Sequence, residues 1–272
     1  MKLMLQEPFR TLWAGKDAFA AVEALSGKVY RAMPGRRTLR VEIEGEGYFV
    51  KIHQGVGWRE ICKNLAQGRL PVLGAGQEWR ALSRLQSAGV PTMTVLAFGE
   101  QGLNPARRRS FIITQEIAPA MDLEAYTQPW RESPPAPAEK RALISEVARM
   151  TRQMHQAGVN HRDCYICHFL RQDAPVPSKP TEKTAPRLFL IDLHRAQVRA
   201  SVPRRWRDKD LAGLYFSALE IGLTRLDRLY FLRAYFAKPL AALFRQEAST
   251  LVWLEREAAR LQARQQKYGG RL

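Results

Sequence analysis

The residues from 158 to 169 read Gly-Val-Asn-His-Arg-Asp-Cys-Tyr-Ile-Cys-His-Phe, and this stretch decides the fold. Its triplet His161-Arg162-Asp163 precedes a second aspartate, Asp192, at the end of an apolar run, and an apolar segment carrying Lys51 lies far upstream. ATP-dependent phosphoryl transfer uses three charged groups in this order. A lysine positions the nucleotide phosphates, an aspartate accepts the proton of the attacking hydroxyl, and a second aspartate holds Mg²⁺. The pattern therefore predicts a phosphotransferase site.

The length and composition are typical of a globular protein with one large domain or two lobes that share a cleft. The chain has 272 residues, of which 46% are hydrophobic and 25% charged. No run has the length and apolarity of a membrane span, and the N-terminal residues 1–8 become polar too soon for a signal peptide. The three cysteines cannot all pair within one chain, which fits a reducing compartment. We therefore expect a cytoplasmic protein.

The charge balance is strongly basic. The formal net charge is +17, which attracts polyanions such as nucleic acid, anionic lipid, a phosphorylated glycan or an acidic protein. Nucleic acid is not the favoured class, because the chain has no zinc-finger spacing, no aromatic-rich single-strand platform and no basic tail. An arginine-rich solvated surface without a specific partner is the plainer interpretation.

The first part of the chain reads as a small antiparallel sheet. Alternation and turn residues predict five strands. They also predict a helix between the third and fourth strands, and a short inserted helix before it at about 58–66. The strands are expected at 28–33, 38–44, 48–53, 93–99 and 109–117, and the helix at 77–87. We therefore expect a sheet lobe over residues 1–117.

The second part reads as mainly helical. Residues 139–156 have the period of a helix, 161–168 are expected to be a loop, and 169–170 and 187–192 to be strands. Residues 171–186 are rich in Pro, Lys and Thr and are expected to form an exposed loop, and the pattern is helical from 208 onward. We therefore expect a helical lobe over 118–272 that contains the loop at 161–168, called here the catalytic loop. For the whole chain we expect an α+β fold.

Lys51 and Glu78 are the candidate nucleotide-binding pair. Lys51 lies in a strand between Val50 and Ile52, and Glu78 lies in the first turn of the next predicted helix, where it can orient the lysine. Glu60 on the inserted helix is an alternative partner, and a lysine on an edge strand facing water is the plainer alternative. The glycine-rich loop of kinases is reduced to Gly35, so either backbone amides near Gly35 or an arginine must contact the phosphates.

Asp163, His168 and Asp192 are the candidate catalytic and metal-binding residues. Asp163 is expected to accept the proton of the acceptor hydroxyl, and Asp192, at a strand end, to hold Mg²⁺. The position five residues after the base holds an Asn in protein kinases, and here it is His168. Imidazole is a poorer Mg²⁺ ligand than an amide oxygen, so His168 is expected beside the nucleotide, either on the metal or without touching it.

Asp208 and Asp210 precede an apolar helical segment. One of them can be the N-cap of that helix, which is the ordinary role of such an aspartate. Asp210 can alternatively brace the backbone of the catalytic loop.

A competing motif overlaps the catalytic loop. The residues Cys164-Tyr165-Ile166-Cys167-His168 form C-x-x-C-H, the pattern of c-type haem attachment. No export signal accompanies it, and a zinc site would need a second Cys/His pair at a familiar spacing. We therefore expect no haem and interpret the cysteines as packing a tight loop.

Three blocks resemble a known family. The strand Tyr-Phe-Val-Lys-Ile-His at 48–53, the block at 158–169 and the block Ile-Asp-Leu-His-Arg-Ala-Gln at 191–197 are similar to those of the lipopolysaccharide core heptose(I) kinases of Gram-negative bacteria. Glu7-Pro8-Phe9 and Lys209-Asp210-Leu211-Ala212 also match, so the resemblance covers nearly the whole chain. His168 and the two cysteines are departures from ordinary kinases that the family shares.

The resemblance implies a protein-kinase-like fold and Mg²⁺-dependent transfer of the ATP γ-phosphate to O4 of the first heptose of the inner core. The implied acceptor is an anionic, lipid-anchored glycan at the cytoplasmic face of the inner membrane, and some members are thought to need acyl carrier protein. Three alternatives stay open: a kinase of another small molecule, of the aminoglycoside or choline type; a pseudokinase scaffold; and a c-type cytochrome.

Overall fold

The computed structural model describes residues 1–33, 35–68, 71–172 and 187–268. The chain divides into two units. The first, called here the sheet unit, comprises residues 1–83, 93–117 and 193–195. The second, called the helical unit, comprises residues 84–92, 118–192 and 196–272.

The sheet unit is built on a six-stranded antiparallel sheet, one strand more than the sequence predicts. The strands are β1 (Lys2–Leu5), β2 (Lys28–Met33), β3 (Arg36–Ile43), β4 (Glu46–Gln54), β5 (Val95–Gln101) and β6 (Arg109–Gln115), in the order β1-β5-β6-β4-β3-β2. The unpredicted strand, β1, is four residues long and pairs with β5, which begins 90 residues after β1 ends. A strand this short shows little alternation of its own, and its distant partner cannot be inferred from local pattern.

Four helices accompany the sheet. They are α1 (Phe9–Leu12), α2 (Ala18–Glu23), α3 (Gly57–Ala66) and α4 (Gly76–Ser87), of which the last four residues of α4 are assigned to the helical unit. The positions of α3 and α4 confirm the sequence prediction within one residue at each end, whereas α1 and α2 are too short to show a helical period.

The two faces of the sheet are covered by different helices. One face is apolar and packs against α1 and α2 in a single cluster; its buried members include Phe9, Trp13, Phe19, Leu39, Val41, Val50, Ile52, Ala97, Phe111 and Ile113. The other face carries Lys51, flanked in register by Thr38 and Ile112. There the Trp79 ring of α4 stacks on Phe98 with a centroid distance of 4.5 Å. Strand alternation therefore places Lys51 on the face that α4 covers.

The helical unit contains six helices and five short strands within its described residues. The helices are α5 (Leu123–Thr127), α6 (Pro137–Gln156), α7 (Arg204–Ser217), α8 (Arg225–Phe236), α9 (Leu240–Gln246) and α10 (Ala248–Tyr268). The strands are β7 (Ala120–Asp122), β8 (Val159–Asn160), β9 (Phe169–Gln172), β10 (Arg187–Leu190) and β11 (Gln197–Val198), paired as β10-β9-β7 and β11-β8. Short 3₁₀ turns occupy Gln128–Arg131 and Ile166–His168, and Leu193–Arg195 form another that groups with the sheet unit.

Helix α6 leads directly into the catalytic loop. It buries the predicted stripe of Leu143, Val147, Met150 and Met154 and ends at Gln156. Gly158 follows with a φ of +78°, and a Cβ there would lie 2.1 Å from the carbonyl oxygen of Arg199. Only glycine fits this turn, which brings the chain into β8 and then into His161.

Several predicted boundaries differ from the structure. Of the loop predicted at 171–186, the first two residues belong to β9, and 173–186 lie outside the described residues. The strand predicted at 187–192 ends at Leu190, because Asp192 adopts a φ of +57° that no strand accommodates. Helix α7 begins at Arg204 after Pro203, so neither Asp208 nor Asp210 is its N-cap.

None of the described helices combines the length and the apolar character that crossing a membrane requires.

Candidate active site

An ion pair joins the half-buried Lys51 to the buried Glu78 in the sheet unit. The Nζ atom of Lys51 lies 2.6 Å from Oε1 of Glu78, whose side chain is 1% exposed. The other carboxylate oxygen of Glu78 is buried and has no hydrogen-bond partner within the described part of the chain. Glu60, the alternative partner, is exposed and contacts Lys63 and Asn64 instead. The structure thus brings Lys51 and Glu78 together as predicted, because strand β4 and helix α4 place both side chains on one sheet face.

Gly35 lies in the turn between β2 and β3. Its φ is +73°, and a Cβ there would lie 2.6 Å from the carbonyl oxygen of Gly55. The carbonyl of Gly35 accepts a hydrogen bond from the backbone N–H of Gln54 at 2.9 Å. Glycine is therefore required by this turn, whatever the turn contacts.

His53 is a buried residue of this region that sequence reasoning missed. It lies two positions after Lys51 on β4, so both side chains point to the same sheet face, and its side chain is 97% buried. The Nε2 atom has no hydrogen-bond partner among the described residues. Burial, reinforced by the positive charges of Arg36, Lys51 and His194, lowers the pKa of His53 to about 3. The two-residue period from Lys51 is the signal by which His53 could have been found.

Asp210 holds the backbone of the catalytic loop. Its carboxylate is 98% buried and accepts hydrogen bonds from the backbone N–H groups of His161, at 2.6 Å, and Arg162, at 2.8 Å. The Nε2 atom of His155 lies 3.2 Å from the same carboxylate, and Nδ1 of His155 lies 2.7 Å from the hydroxyl of Tyr235. The bracing role proposed for Asp210 is therefore confirmed. It keeps Arg162 at a φ of +74°, a conformation that costs about 1–2 kcal/mol for a residue with a Cβ.

Two stacked imidazoles connect the catalytic loop to the segment around Asp192. The rings of His161 and His168 lie 5.3 Å apart and nearly parallel. The Nε2 atom of His161 lies 2.9 Å from the carbonyl oxygen of Ile191, and burial lowers the pKa of His161. A neutral His161 therefore donates from Nε2. This contact fixes the segment before Asp192 against the loop that carries Asp163.

The hydrogen bonds of His168 determine its tautomer. Its Nδ1 atom lies 2.6 Å from the carbonyl oxygen of Asp163, an atom that can only accept, so Nδ1 carries the proton. In the neutral ring Nε2 then has a lone pair, and it lies 3.8 Å from Oδ2 of Asp192. The backbone N–H of Ile191 also donates to the carbonyl of His168 at 2.9 Å. His168 therefore donates from Nδ1 to the backbone carbonyl of Asp163, and its Nε2 lies near the carboxylate of Asp192.

The donor set around Asp192 fits Mg²⁺ better than a metal held wholly by protein. No group of three or more His, Cys, Asp or Glu side chains with metal-binding geometry occurs in the ranges that the structure describes. Mg²⁺ commonly takes only one or two carboxylates and fills its other positions with water and substrate phosphates. Asp192 supplies such a carboxylate, and Nε2 of His168 faces the same region.

Of the two cysteines of the C-x-x-C-H motif, Cys164 is buried and Cys167 is half-buried. Cys164 is 1% exposed, and burial raises its pKa well above the usual range. Burial also raises the pKa of Cys167 to about 11. Thiols in this state are poor nucleophiles, and the positions match the expectation that the two residues pack the loop.

The fold and the site define the class of protein. An antiparallel sheet that carries a Lys–Glu ion pair precedes a helical unit in which the loop after His-Arg-Asp brings His168 close to a second aspartate, Asp192. This is the protein-kinase-like α+β fold, and it confirms the predicted fold class.

Sequence comparison gives the family. A sequence model described as the lipopolysaccharide kinase (Kdo/WaaP) family matches residues 20–235, and the chain belongs to this family. As a member of it, the chain is an ATP-dependent phosphotransferase, which confirms the resemblance noted in the sequence.

Individual relatives match the chain over nearly their full lengths. The chain is 61% identical over 269 residues to the lipopolysaccharide core heptose(I) kinase WaaP of Pseudomonas aeruginosa, covering 99% of each. It is 51% identical over 265 residues to the heptose(I) kinase WaaP of Escherichia coli strain K12, covering 97% of this chain and 98% of that one. A solved structure of WaaP in complex with acyl carrier protein superposes with a TM-score of 0.83 at 57% identity, covering 96% of this chain and 99% of the other.

The environment of His53 predicts a specific acid response. In the folded protein His53 stays neutral until the pH approaches its pKa of about 3, whereas in the unfolded chain it binds a proton near pH 6.5. Lowering the pH between these values therefore favours unfolding. This loss in the free energy of unfolding amounts to about 1.4 kcal/mol per pH unit. His53→Gln removes it, so the melting temperature of the variant should fall less steeply than that of the wild type from pH 6.5 to pH 4. Parallel curves in calorimetry would show that His53 titrates alike in both states.

Proposed function

We propose that this chain transfers the γ-phosphate of ATP to O4 of the first heptose of the lipopolysaccharide inner core. The observation that supports this acceptor most directly is the 61% identity, over 99% of both chains, to a heptose(I) kinase. The catalytic loop supports the chemistry, since Asp163, His168 and Asp192 lie together in the helical unit and Asp210 holds the loop backbone.

Each site residue has a defined part in this reaction. Lys51, held by Glu78, contacts the nucleotide phosphates, and backbone groups around Gly35 contribute beside it. Asp163 orients the heptose hydroxyl and accepts its proton as the γ-phosphoryl group of ATP moves to that oxygen and ADP leaves. Mg²⁺, when bound, neutralises charge on the phosphates, and Asp192 with His168 would hold it. Residues 1–117 form the nucleotide-binding lobe in this proposal and 118–272 the catalytic lobe.

We place the reaction at the cytoplasmic face of the inner membrane, with the protein bound peripherally. The acceptor is a lipid-anchored anionic glycan, and a chain of net charge +17 is attracted to an anionic surface. Exposed charges are screened beyond about 8 Å at physiological ionic strength, so this association weakens with salt.

Acyl carrier protein is the proposed protein partner. A relative 57% identical to this chain has been solved in complex with it, and an acidic carrier complements the basic charge here. The helical unit also contains an apolar cavity of about 500 Å³. Its walls come from α6, α7, α8 and α10 and include Leu143, Val147, Leu214, Phe231 and Leu251, with Arg225 and Arg228 also lining it. Such a cavity suits the acyl chain of the carrier, since each buried CH₂ contributes about 0.8 kcal/mol.

The role of Asp163 has a direct test. Asp163→Asn keeps the size of the side chain and removes the proton acceptor, so transfer should fall about 10²-fold or more while the melting temperature stays near that of the wild type. Glu132→Gln, at an exposed position, is the matched control. The assay is ATP, Mg²⁺ and dephosphorylated lipopolysaccharide, followed by mass spectrometry of the glycan. Near-normal transfer by folded Asp163→Asn would disprove the assignment, and no transfer by the wild type would favour a pseudokinase or another acceptor.

The tautomer of His168 generates a second prediction. His168→Ala should lower kcat and raise the Mg²⁺ concentration needed for half-maximal rate, because a donor beside Asp192 is lost. His168→Asn restores an oxygen donor and should recover part of the rate. Activity and the thermal midpoint are measured for both variants. If both keep the wild-type rate and Mg²⁺ dependence, His168 has no part in metal binding.

The cavity can be filled to test the acyl carrier protein proposal. Ala218 lines it, so Ala218→Trp should occlude it, whereas Ala263→Trp places the same bulk at an exposed position of α10. Calorimetric titration should show that the wild type and Ala263→Trp bind acylated carrier more tightly than unacylated carrier. Ala218→Trp should bind both forms alike. Equal binding of both forms by the wild type would mean that the acyl chain stays outside the cavity.

A further inference from the structure

Helix α3 of the sheet unit exposes an apolar stripe. Trp58, Cys62 and Leu65 are spaced at four and three residues, which places their side chains on one face of the helix. Trp58 is 56% exposed and Leu65 is 54% exposed, and Cys62 is exposed as well. All ten residues of α3 are described, and only Ile61 among them is buried. A helix of a globular protein usually turns its apolar face to the core, so an outward stripe indicates a contact surface.

Cationic side chains border the stripe on one side. Successive residues of a helix are rotated by about 100°, so Arg59 and Lys63 project about 100° and about 140° from Trp58, on the side of Cys62. Glu60 projects about 200° from Trp58, on the opposite face. Glu60 and Lys63 form an ion pair of 3.6 Å, but both side chains are at least half exposed, so solvent weakens the pair. The aliphatic stems of the two cations can follow an apolar surface while their charges reach polar groups above it.

The turn between β5 and β6 adjoins the N-terminus of α3. The backbone N–H of Gly57 donates to the carbonyl of Ala106 at 3.0 Å, and a Cβ at Gly55 would lie 2.6 Å from the same oxygen. This turn carries Leu103, which is 97% exposed, and the exposed Arg107. Two segments in contact with each other thus each present a large apolar side chain together with a cation.

The turn between β2 and β3 belongs to the same end of the sheet. The N–H of Gln54, the last residue of β4, donates to the carbonyl of Gly35 at 2.9 Å, and Met33, the last residue of β2, is 52% exposed. We call the exposed residues at this end of the sheet the apolar rim. It comprises Met33, Trp58, Cys62, Leu65 and Leu103 with the cations Arg59, Lys63 and Arg107.

We propose that the apolar rim rests on an anionic phospholipid bilayer. This inference deepens the proposed function and rests on it for the lipid-anchored acceptor. Tryptophan and leucine side chains enter the boundary between headgroups and acyl chains, and neighbouring arginines and lysines bind the anionic headgroups. The rim offers this combination, with Trp58 as its aromatic anchor.

Charge distinguishes a bilayer from a second copy of this chain as the occupant. Two copies that met at their rims would bring Arg59, Lys63 and Arg107 of each close to the same residues of the other, in chains of net charge +17. Like charges placed together across an interface are destabilising, whereas an anionic surface neutralises them. The charge of the rim therefore favours the bilayer.

Binding to vesicles, without ATP or glycan, tests the apolar part of the rim. The rim variant is Trp58→Ser/Leu65→Ser. The matched control is Met121→Ser/Leu226→Ser, which removes two apolar side chains of similar exposure from the helical unit. The vesicles contain phosphatidylethanolamine with phosphatidylglycerol, or phosphatidylcholine alone, and cosedimentation gives the partition coefficient.

A second pair of variants tests the charged part of the rim. The charge variant is Arg59→Gln/Lys63→Gln, and Arg256→Gln/Arg264→Gln at exposed positions of α10 changes the net charge equally outside the rim. Both are measured on the same vesicles at low and at high salt.

We expect the rim variant to bind anionic vesicles about tenfold or more weakly, since two apolar side chains no longer leave water. The charge variant should lose about fivefold or more at low salt, and less at high salt. Both controls should stay within about twofold of the wild type, and all melting temperatures should stay near that of the wild type, because the substituted side chains are exposed. Brominated acyl chains should quench the tryptophan fluorescence of the wild type more than that of Trp58→Phe.

Several results would overturn the proposal. They are unchanged vesicle binding by the rim variant, an equal loss in the Met121→Ser/Leu226→Ser control, equal quenching in Trp58→Phe, and no binding of the wild type to anionic vesicles. A wild-type dimer that the rim variant fails to form, seen by sedimentation, would assign the rim to a second copy instead.

Failure of the proposed function is distinguishable. A wild type that binds vesicles through the rim but leaves the lipid-anchored acceptor unphosphorylated would refute heptose transfer and leave the rim standing. A wild type that phosphorylates the acceptor in vesicles, at a rate equal to that of the rim variant, would do the reverse.

Discussion

The buried carboxylate of Asp210 is the interaction on which the catalytic loop depends. It accepts hydrogen bonds from the backbone N–H groups of two consecutive loop residues, His161 and Arg162. Without Asp210 these two N–H groups would lose this acceptor inside the protein. An unsatisfied buried donor costs about 1–3 kcal/mol, so the loop is held in its conformation by one side chain of α7. The position of Asp163, the stacking of His161 on His168 and the direction of Arg162 all follow from this attachment.

Positively charged side chains are held in place by two different kinds of contact. Lys51 is half-buried and paired with the buried carboxylate of Glu78, which compensates its charge and fixes its position. Arg205 and Lys209 are exposed and lie against the indole ring of Trp206. The first arrangement holds a cation inside the sheet unit through a carboxylate, and the second holds cations at the surface through an aromatic ring.

Much of the fold was predictable because its strands and helices show clear local periodicity of hydrophobic residues. The alternation through 38–44 and 48–53 and the helical stripe through Leu143, Val147, Met150 and Met154 each correspond to observed elements. The pairing of Lys51 with Glu78 was predictable for the same reason, since both residues occupy defined positions in such elements. Strand β1 was missed because its pairing with β5 is long-range, and the end of β10 was misplaced because the φ of Asp192 is not encoded in hydrophobicity.

The sequence by itself determined the order of elements, the identity of the candidate catalytic residues and the excess of positive charge, because these depend on residue type and near-neighbour spacing. Only the tertiary structure decided which polar groups meet across long separations. Asp210 contacts His161 across 49 residues, His155 contacts Tyr235 across 80, and Arg162, Arg199 and Arg205 gather at one ring from three segments. The physical reason is that such contacts depend on how α6, α7 and the short β8–β11 pair pack together. Residue spacing along the sequence does not specify this packing.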